Sequence, residues 1–203
     1  MPTLTDTSTH PALLTDAEQA RRQAAIDKLN GGGAVEFVDV IVESARYAGD
    51  KLLFTDRNRT WTGHEVADAV TGAVRFLHSE GMRHGDVVLL GARPGIEAMI
   101  SLLASMRLGA ICTVIDPGAG HELFARRLEL MRPGWVIAES LLYAASARTP
   151  LKAYTRSKGM ELPHLARIPS NHVRIGPWVP GTPTSALSLR TGIKNAIKNH
   201  PDP

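Results

Sequence analysis

Between residues 60 and 140 the hydrophobic pattern switches repeatedly between a helical period and short continuous apolar runs. Val66, Val70, Ala73, Val74 and Leu77 recur at i, i+4 and i+7 spacing, which predicts a helix packed on a core. Thr62 and Glu65 form a capping box at its start, Trp61 can staple onto Val66, and Gly81 ends it. The apolar runs 86–92, 110–115 and 135–139 have strand length. Between the first two, Pro94 opens a helix with Ile96, Met99, Ile100, Leu103 and Met106 on one face, extended by Leu102. Its only polar stripe is Glu97, Ser101 and Ser105, so the helix is expected to be largely enclosed, and Gly109 closes it. A third helix covers 121–132, with Phe124, Leu128 and Met131 inward and a Glu122–Arg126 pair outward, and stops at Pro133.

Upstream, residues 34–49 place Phe37, Val40, Ile41 and Ser44 or Ala45 on one helical face. Residues 51–62 read as a hairpin turning near Asp56, Arg57 and Asn58. A weakly packing, alanine-faced helix is predicted from Thr15, boxed with Glu18, to the stop at Asn30–Gly33, and the first fifteen residues are expected to be disordered. Beyond residue 149 the pattern fades among prolines, leaving one strand at 172–175. The organisation expected is therefore a flexible segment with one helix at 1–33, an α/β unit at 34–149, and a Pro-rich, basic, irregular continuation at 150–203. Strand–helix–strand alternation with fully apolar strands and short connections predicts a parallel sheet with flanking helices and right-handed crossovers.

Charge divides the 203 residues unevenly. Residues 1–149 carry 15 Lys/Arg against 18 Asp/Glu, whereas 150–203 carry 8 against 2. A basic tail raises nucleic-acid binding, but these positives are dispersed among prolines rather than grouped on a helix face, and aromatic stacking residues are scarce. Solvated loop charges are the plainer reading, and no nucleic-acid partner is expected. The N-terminus lacks a basic start and a long apolar stretch, and no apolar run approaches the ~20 residues of a membrane span. One cysteine, Cys112, sits inside an apolar run and reads as a small buried hydrophobe rather than a nucleophile. A cytoplasmic location is expected.

Chemistry is best sought after the strand at 110–115, where Asp116-Pro117-Gly118-Ala119-Gly120 follows. Glycines after a strand can cradle phosphates. A dinucleotide fingerprint starting at Gly118 finds its second glycine at Gly120 but meets Leu123 where a small residue is required. No Gly-Lys pair, no Gly-x-Ser-x-Gly elbow and no Cys/His cluster of zinc spacing occurs. His64 and His84 read as surface residues. Asp116 has the chemistry of an acid, a base or a ribose contact, yet Asp-Pro-Gly is also turn chemistry. No catalytic, cofactor-binding or metal-ligating residue is assigned. Asp116, Pro117 and Gly118 are kept as candidates for the rim of a substrate pocket.

Four stretches in order resemble the N-terminal part of the AMP-forming acid–thiol ligases, the superfamily of acyl-CoA synthetases, peptide-synthetase adenylation domains and luciferase. They are Thr60-Trp61-Thr62-Gly63-His64-Glu65-Val66, the turn Gly81-Met82-Arg83-His84-Gly85-Asp86-Val87-Val88, the helix-to-strand passage Arg107 to Pro117, and helix 121–132 followed by Pro133-Gly134-Trp135-Val136-Ile137-Ala138. Val114 stands where the family has proline. Asp116-Pro117-Gly118-x-Gly120 and the segment 178–183 are similar to the olefin β-lactone synthetase branch and its fatty-acid ligase relatives. The resemblance implies a full-length enzyme that uses ATP and Mg2+, and in CoA-using members CoA, to turn a carboxylic acid into an acyl-adenylate and then a thioester or β-lactone. It implies that the family's Thr/Ser-rich phosphate loop is missing: Gly181-Thr182-Pro183-Thr184-Ser185 has its composition but not its order, with no lysine after it. The lid lysine has no counterpart either. The chain is thus expected to be a front portion that binds no cofactor and is not catalytic alone. It would see an acid substrate only when the missing portion complements it. The alternative is a non-catalytic module that pairs with a separate ligase chain, and the cut sheet's exposed edge offers self-association.

Overall fold

The computed structural model describes residues 37–56, 59–115, 120–147, 157 and 162–199. The predicted helix at 15–30, the hairpin turn at 57–58, and Asp116, Pro117 and Gly118 lie outside the described residues. Helix α1 (Phe37–Ala48) leads to a hairpin of β1 (Leu52–Asp56) and β2 (Arg59–Thr62), and then to α2 (Gly63–Ser79). There follow β3 (Val87–Gly91), α3 (Ile96–Arg107), β4 (Ile111–Val114), α4 (His121–Met131), β5 (Trp135–Glu139) and α5 (Ser140–Ser146). A 3₁₀ turn (Leu165–Arg167), β6 (Asn171–Ile175), β7 (Leu187–Ser188) and α6 (Leu189–Asn199) complete the order.

The main sheet runs β4-β3-β5-β6-β7 with every neighbour parallel. Alternate residues of its central strands feed two cores, which is why these strands read as continuous apolar runs. Val88, Leu90, Trp135, Ile137, Val173 and Ile175 share one core with α1, α2, α3 and Leu189 of α6. Leu89, Val136 and Ala138 share the other with Phe124 of α4, Tyr143 and Ala145 of α5, and Leu165. The outer strand β4, read as an apolar run, is less buried than β3 and β5. Ile111 and Val114 are 60% and 59% exposed, because β4 is an edge with only β3 beside it.

Local signals explain the joints. The capping box at α2 forms as predicted: the Thr62 side chain accepts from the Glu65 N–H at 3.2 Å, and the Glu65 carboxylate accepts from the Thr62 N–H at 3.0 Å. Both α2 and α3 end in paired return bonds. Met82 N–H reaches Leu77 O and Gly81 N–H reaches His78 O, while Ala110 N–H reaches Ser105 O and Gly109 N–H reaches Met106 O. Gly81 and Gly109 supply the left-handed residue that this closure needs, at φ 103° and 73°. Asp86 then ties the sheet's entry together, since its Oδ2 accepts from Arg83 N–H at 2.8 Å and from Trp135 Nε1 at 3.0 Å.

Three expectations needed correction. On α1 the buried residues are Val38, Val42 and Ala45, and Phe37 is 62% exposed. The apolar surface of this helix is wide enough to seat one position round from the predicted stripe. On α3, Ser101 and Ser105 are fully buried, although they were expected to mark the polar side. Ser101 returns its hydroxyl to Glu97 O at 2.7 Å, which lets a small polar residue face a core. The C-terminal stretch is less irregular than its prolines suggested, because α6 packs Leu189, Ile193 and Ala196 against the first core. Helices α6 and α2 approach closely through Gly72, set against Ile193 and Ile197, and through Gly192, set against Phe76. Arg190, Lys194 and Lys198 fall on one exposed side of α6, so part of the tail's charge is grouped on a helix after all.

Candidate functional site at the carboxyl end of the sheet

Neighbouring strands β3 and β5 send their connections in opposite directions, β3 through α3 to β4 and β5 through α5 toward β6. In open α/β sheets the crevice outside the carboxyl ends of such a strand pair is where ligands bind. A crevice of about 240 Å³ lies there, walled by the segment after β3 (Ala92–Ala98 without Ile96), the end of β5, and the residues after β6. Its volume falls below the ~300 Å³ at which small-molecule sites begin.

Arg93 and Glu139 dominate this crevice. The Glu139 carboxylate accepts from the Arg93 N–H at 3.0 Å and from Nε at 3.2 and 2.9 Å, and Nη2 lies 2.9 Å away. The Glu139 side chain is 16% exposed, so this bidentate, charge-assisted pairing occurs with little water around the carboxylate. Asp56 enters from the hairpin, and its Oδ2 accepts from the Ile96 N–H at 3.3 Å at the start of α3. An added Cβ on Gly95 would stand 2.9 Å from that oxygen, so a side chain there would have to turn the Asp56 carboxylate aside. Ser140 closes the floor. It is 2% exposed, and its Oγ is buried without a hydrogen-bond partner.

The residues singled out in sequence fare differently. Asp116, Pro117 and Gly118 lie outside the described residues, and only their flanks can be followed. Ile115 donates its N–H to Leu90 O and is buried, and Gly120 precedes α4 at φ 77°. Cys112 is half-buried against the first core, and burial pushes its thiol above the ordinary range, which suits a hydrophobe and not a nucleophile. His64 and His84 are exposed; His64 Nδ1 lies 3.3 Å from Asp50 Oδ1, and the His84 ring covers Gly109. Arg93, Glu139, Asp56 and Ser140 were not found in sequence, because only the sheet topology brings them to one place. No group of three or more His, Cys, Asp or Glu residues able to hold a metal occurs among the described residues, and none of their helices is long and apolar enough to cross a membrane.

Among the described residues, the crevice offers one guanidinium, already engaged by a carboxylate. Stabilising charge on a transferring phosphoryl group takes several cations and backbone amides aimed at it. The described residues of the crevice hold no such set.

Residues 41–175 match the family model described as AMP-binding enzyme. The propionate–CoA ligase of Salmonella typhimurium is 36% identical over 84 residues, 41% of this chain and 13% of the ligase. The acetyl-coenzyme A synthetase of Photobacterium profundum is 34% identical over 93 residues, 46% of this chain and 14% of the synthetase. Among solved structures, the luciferase-like enzyme of Zophobas morio superposes with a TM-score of 0.59 at 17% identity, covering 79% of this chain and 35% of that one. That last likeness is one of fold. The matched stretch spans about one seventh of the length of the two curated relatives. The AMP-binding match covers most of the described sheet, from α1 to the end of β6, and the chain belongs to the AMP-binding enzyme family.

Proposed function

We propose that the chain serves as the front portion of an ATP-dependent, AMP-forming carboxylic acid ligase, supplying a sheet and part of a cleft but not the catalytic cations. In the complete enzyme a carboxylate would attack the α-phosphorus of ATP, expelling pyrophosphate and leaving an acyl-adenylate for a thiol or an internal hydroxyl to attack. The observation that carries this reading is the crevice at the ends of β3 and β5. It stands where α/β sheets bind ligands, yet the one cation among its described residues, Arg93, is committed to Glu139. A fatty acid as substrate, with β-lactone or thioester as product, remains the finer proposal and rests on residues 116–120 and 178–183. Calorimetric titration of the chain with ATP and Mg2+ tests the reading. No saturable heat is expected, and micromolar binding would overturn it.

A second reading is favoured by the open edge β4. A non-catalytic module that completes a separate ligase chain would bury Ile111 and Val114 on association. Size-exclusion chromatography separates the two readings, since a compact monomer that is insensitive to concentration counts against the module.

A further inference from the structure

We propose that the outer side of α6 and the groove beside it bind the phosphodiester backbone of a single-stranded nucleic acid, a function separate from the proposed ligase scaffold. Arg190, Lys194 and Lys198 stand at i, i+4 and i+8 on the exposed side of α6. The helix contains no acid, and among the described residues no carboxylate pairs with any of the three cations. Four residues of helix rise about 6 Å, so each cation can meet a separate phosphate. The tail's positives look dispersed in sequence, and only the folding of 189–199 into one helix lines them up.

The second observation is the groove on the adjoining side of α6. It measures about 790 Å³ and runs between α6, the C-terminal end of α2 and strands β6 and β7. Thr191, Asn195 and Asn199 line it from α6, again at i, i+4 and i+8, next to the row of cations. Arg174 of β6 brings a further cation to the lining, and Glu80 is the single carboxylate among the described lining residues. Arg, Lys, Ser, Thr and Asn side chains are those that bond phosphate and sugar oxygens.

Other partners fit this face less well. Binding to an anionic bilayer takes apolar side chains that can insert, and Leu189, Ile193 and Ala196 of α6 are packed on the first core. A protein interface centres on an apolar patch depleted in lysine, whereas a row of three cations occupies the middle of this face. Phe76 is the one Phe, Tyr or Trp among the described groove residues, and it is 6% exposed, so bases find no stacking platform on it. Recognition therefore runs through the backbone and is indifferent to sequence.

Fluorescence anisotropy of the 203-residue chain with labelled single strands of about 12 nucleotides tests the proposal, using oligouridylate, a mixed-sequence RNA and oligothymidylate. Saturable micromolar binding is expected at about 50 mM NaCl, alike for the two RNAs, with log K falling against log salt at a slope of about −2 to −3, as three or four phosphate contacts require. The triple variant Arg190→Gln, Lys194→Gln, Lys198→Gln should bind at least tenfold more weakly and lower that slope by about 2. Arg126→Gln, Arg127→Gln, Arg132→Gln removes the same charge from exposed positions elsewhere and should bind as wild type. Thermal melts report whether each variant keeps its fold, and the wild-type salt slope stands without any variant. Binding in either the RNA or the DNA arm supports the assignment, and the stronger arm identifies the sugar. No saturable binding, equal losses in the two triple variants, or equally tight binding to phosphatidylserine vesicles would each overturn it.

Discussion

The hydroxyl of Tyr143 lies 3.0 Å from Nδ1 of His172, joining α5 to β6 inside the second core. His172 Nε2 faces Ile168 O at 3.1 Å and must carry a proton there, which leaves Nδ1 of the neutral ring as an acceptor. The Tyr143 hydroxyl also reaches Val136 O at 3.2 Å, and burial pushes its pKa far above the usual range, so it stays a donor. Burial holds His172 below its ordinary pKa, a larger effect than the opposing one of the Ile168 carbonyl.

Stability should therefore fall with acid. The folded pKa lies below the unfolded value of about 6.5, so the unfolded chain takes up the proton first as pH drops through that value. Stability is complete above that pH and is lost progressively from there toward the lower folded pKa. Thermal melts from pH 7.5 to 5.5 should show a falling Tm in the wild type. His172→Gln should flatten that slope, and an equal slope in both proteins would contradict the assignment.

Removing the partner hydroxyl should also be costly. Tyr143→Phe removes the single hydroxyl proton shared between Val136 O and His172 Nδ1 and leaves the buried imidazole nitrogen without a donor, at about 1–3 kcal/mol. Urea unfolding read at equal m-values measures it.

At the start of α2, Thr62→Ala removes the acceptor for the Glu65 N–H and should cost about 1 kcal/mol. The Glu65 carboxyl is held below its ordinary pKa first by the Thr62 N–H and then by Arg59. Its contribution is present above the unfolded pKa and disappears as pH falls through the lower folded value. Chemical denaturation at pH 7 and again at pH 3 should show a Glu65→Gln penalty shrinking in acid, whereas the Thr62→Ala penalty changes little, because alanine keeps the backbone N–H that the carboxylate accepts from.

Gly63 admits no side chain, because a Cβ there would overlap the carbonyl oxygen of Ala45 and crowd Ala48 at 3.0 Å. Gly63→Ala should push α1 off α2 and cost about 1–3 kcal/mol, as overpacking does. A midpoint in urea unchanged from wild type would show that the two helices yield without penalty.

The exposed edge gives a solution prediction. Ile111→Lys and Val114→Lys each place a charge on β4, where the wild-type side chain meets solvent. Light scattering at high concentration should decrease in both variants, with stability changed by no more than about 0.5 kcal/mol.

What was legible in sequence follows from range. The Thr62–Glu65 box, the Val66–Leu77 stripe and the glycine stops at Gly81 and Gly109 are local, and each appears where spacing placed it. Continuous apolar runs sufficed for the central parallel strands β3 and β5, which are buried on both faces. Helix α6 was hidden by Gly192 and by the prolines before it, although Leu189, Ile193, Ala196 and Ile197 keep helical spacing and the Ser188 hydroxyl accepts from Thr191 N–H. The crevice was not legible at all. Asp56, Arg93 and Glu139 come from three separate elements, and only the order β4-β3-β5 brings them together.

The central claim is that this chain carries the scaffold of an acid ligase without its phosphoryl-transfer machinery. ATP–pyrophosphate exchange by the purified chain, run with Mg2+ and a panel of short-chain, fatty and aryl acids, tests it most directly. The account predicts exchange no faster than the protein-free blank with every acid. Robust exchange that depends on both ATP and one of the acids would contradict it.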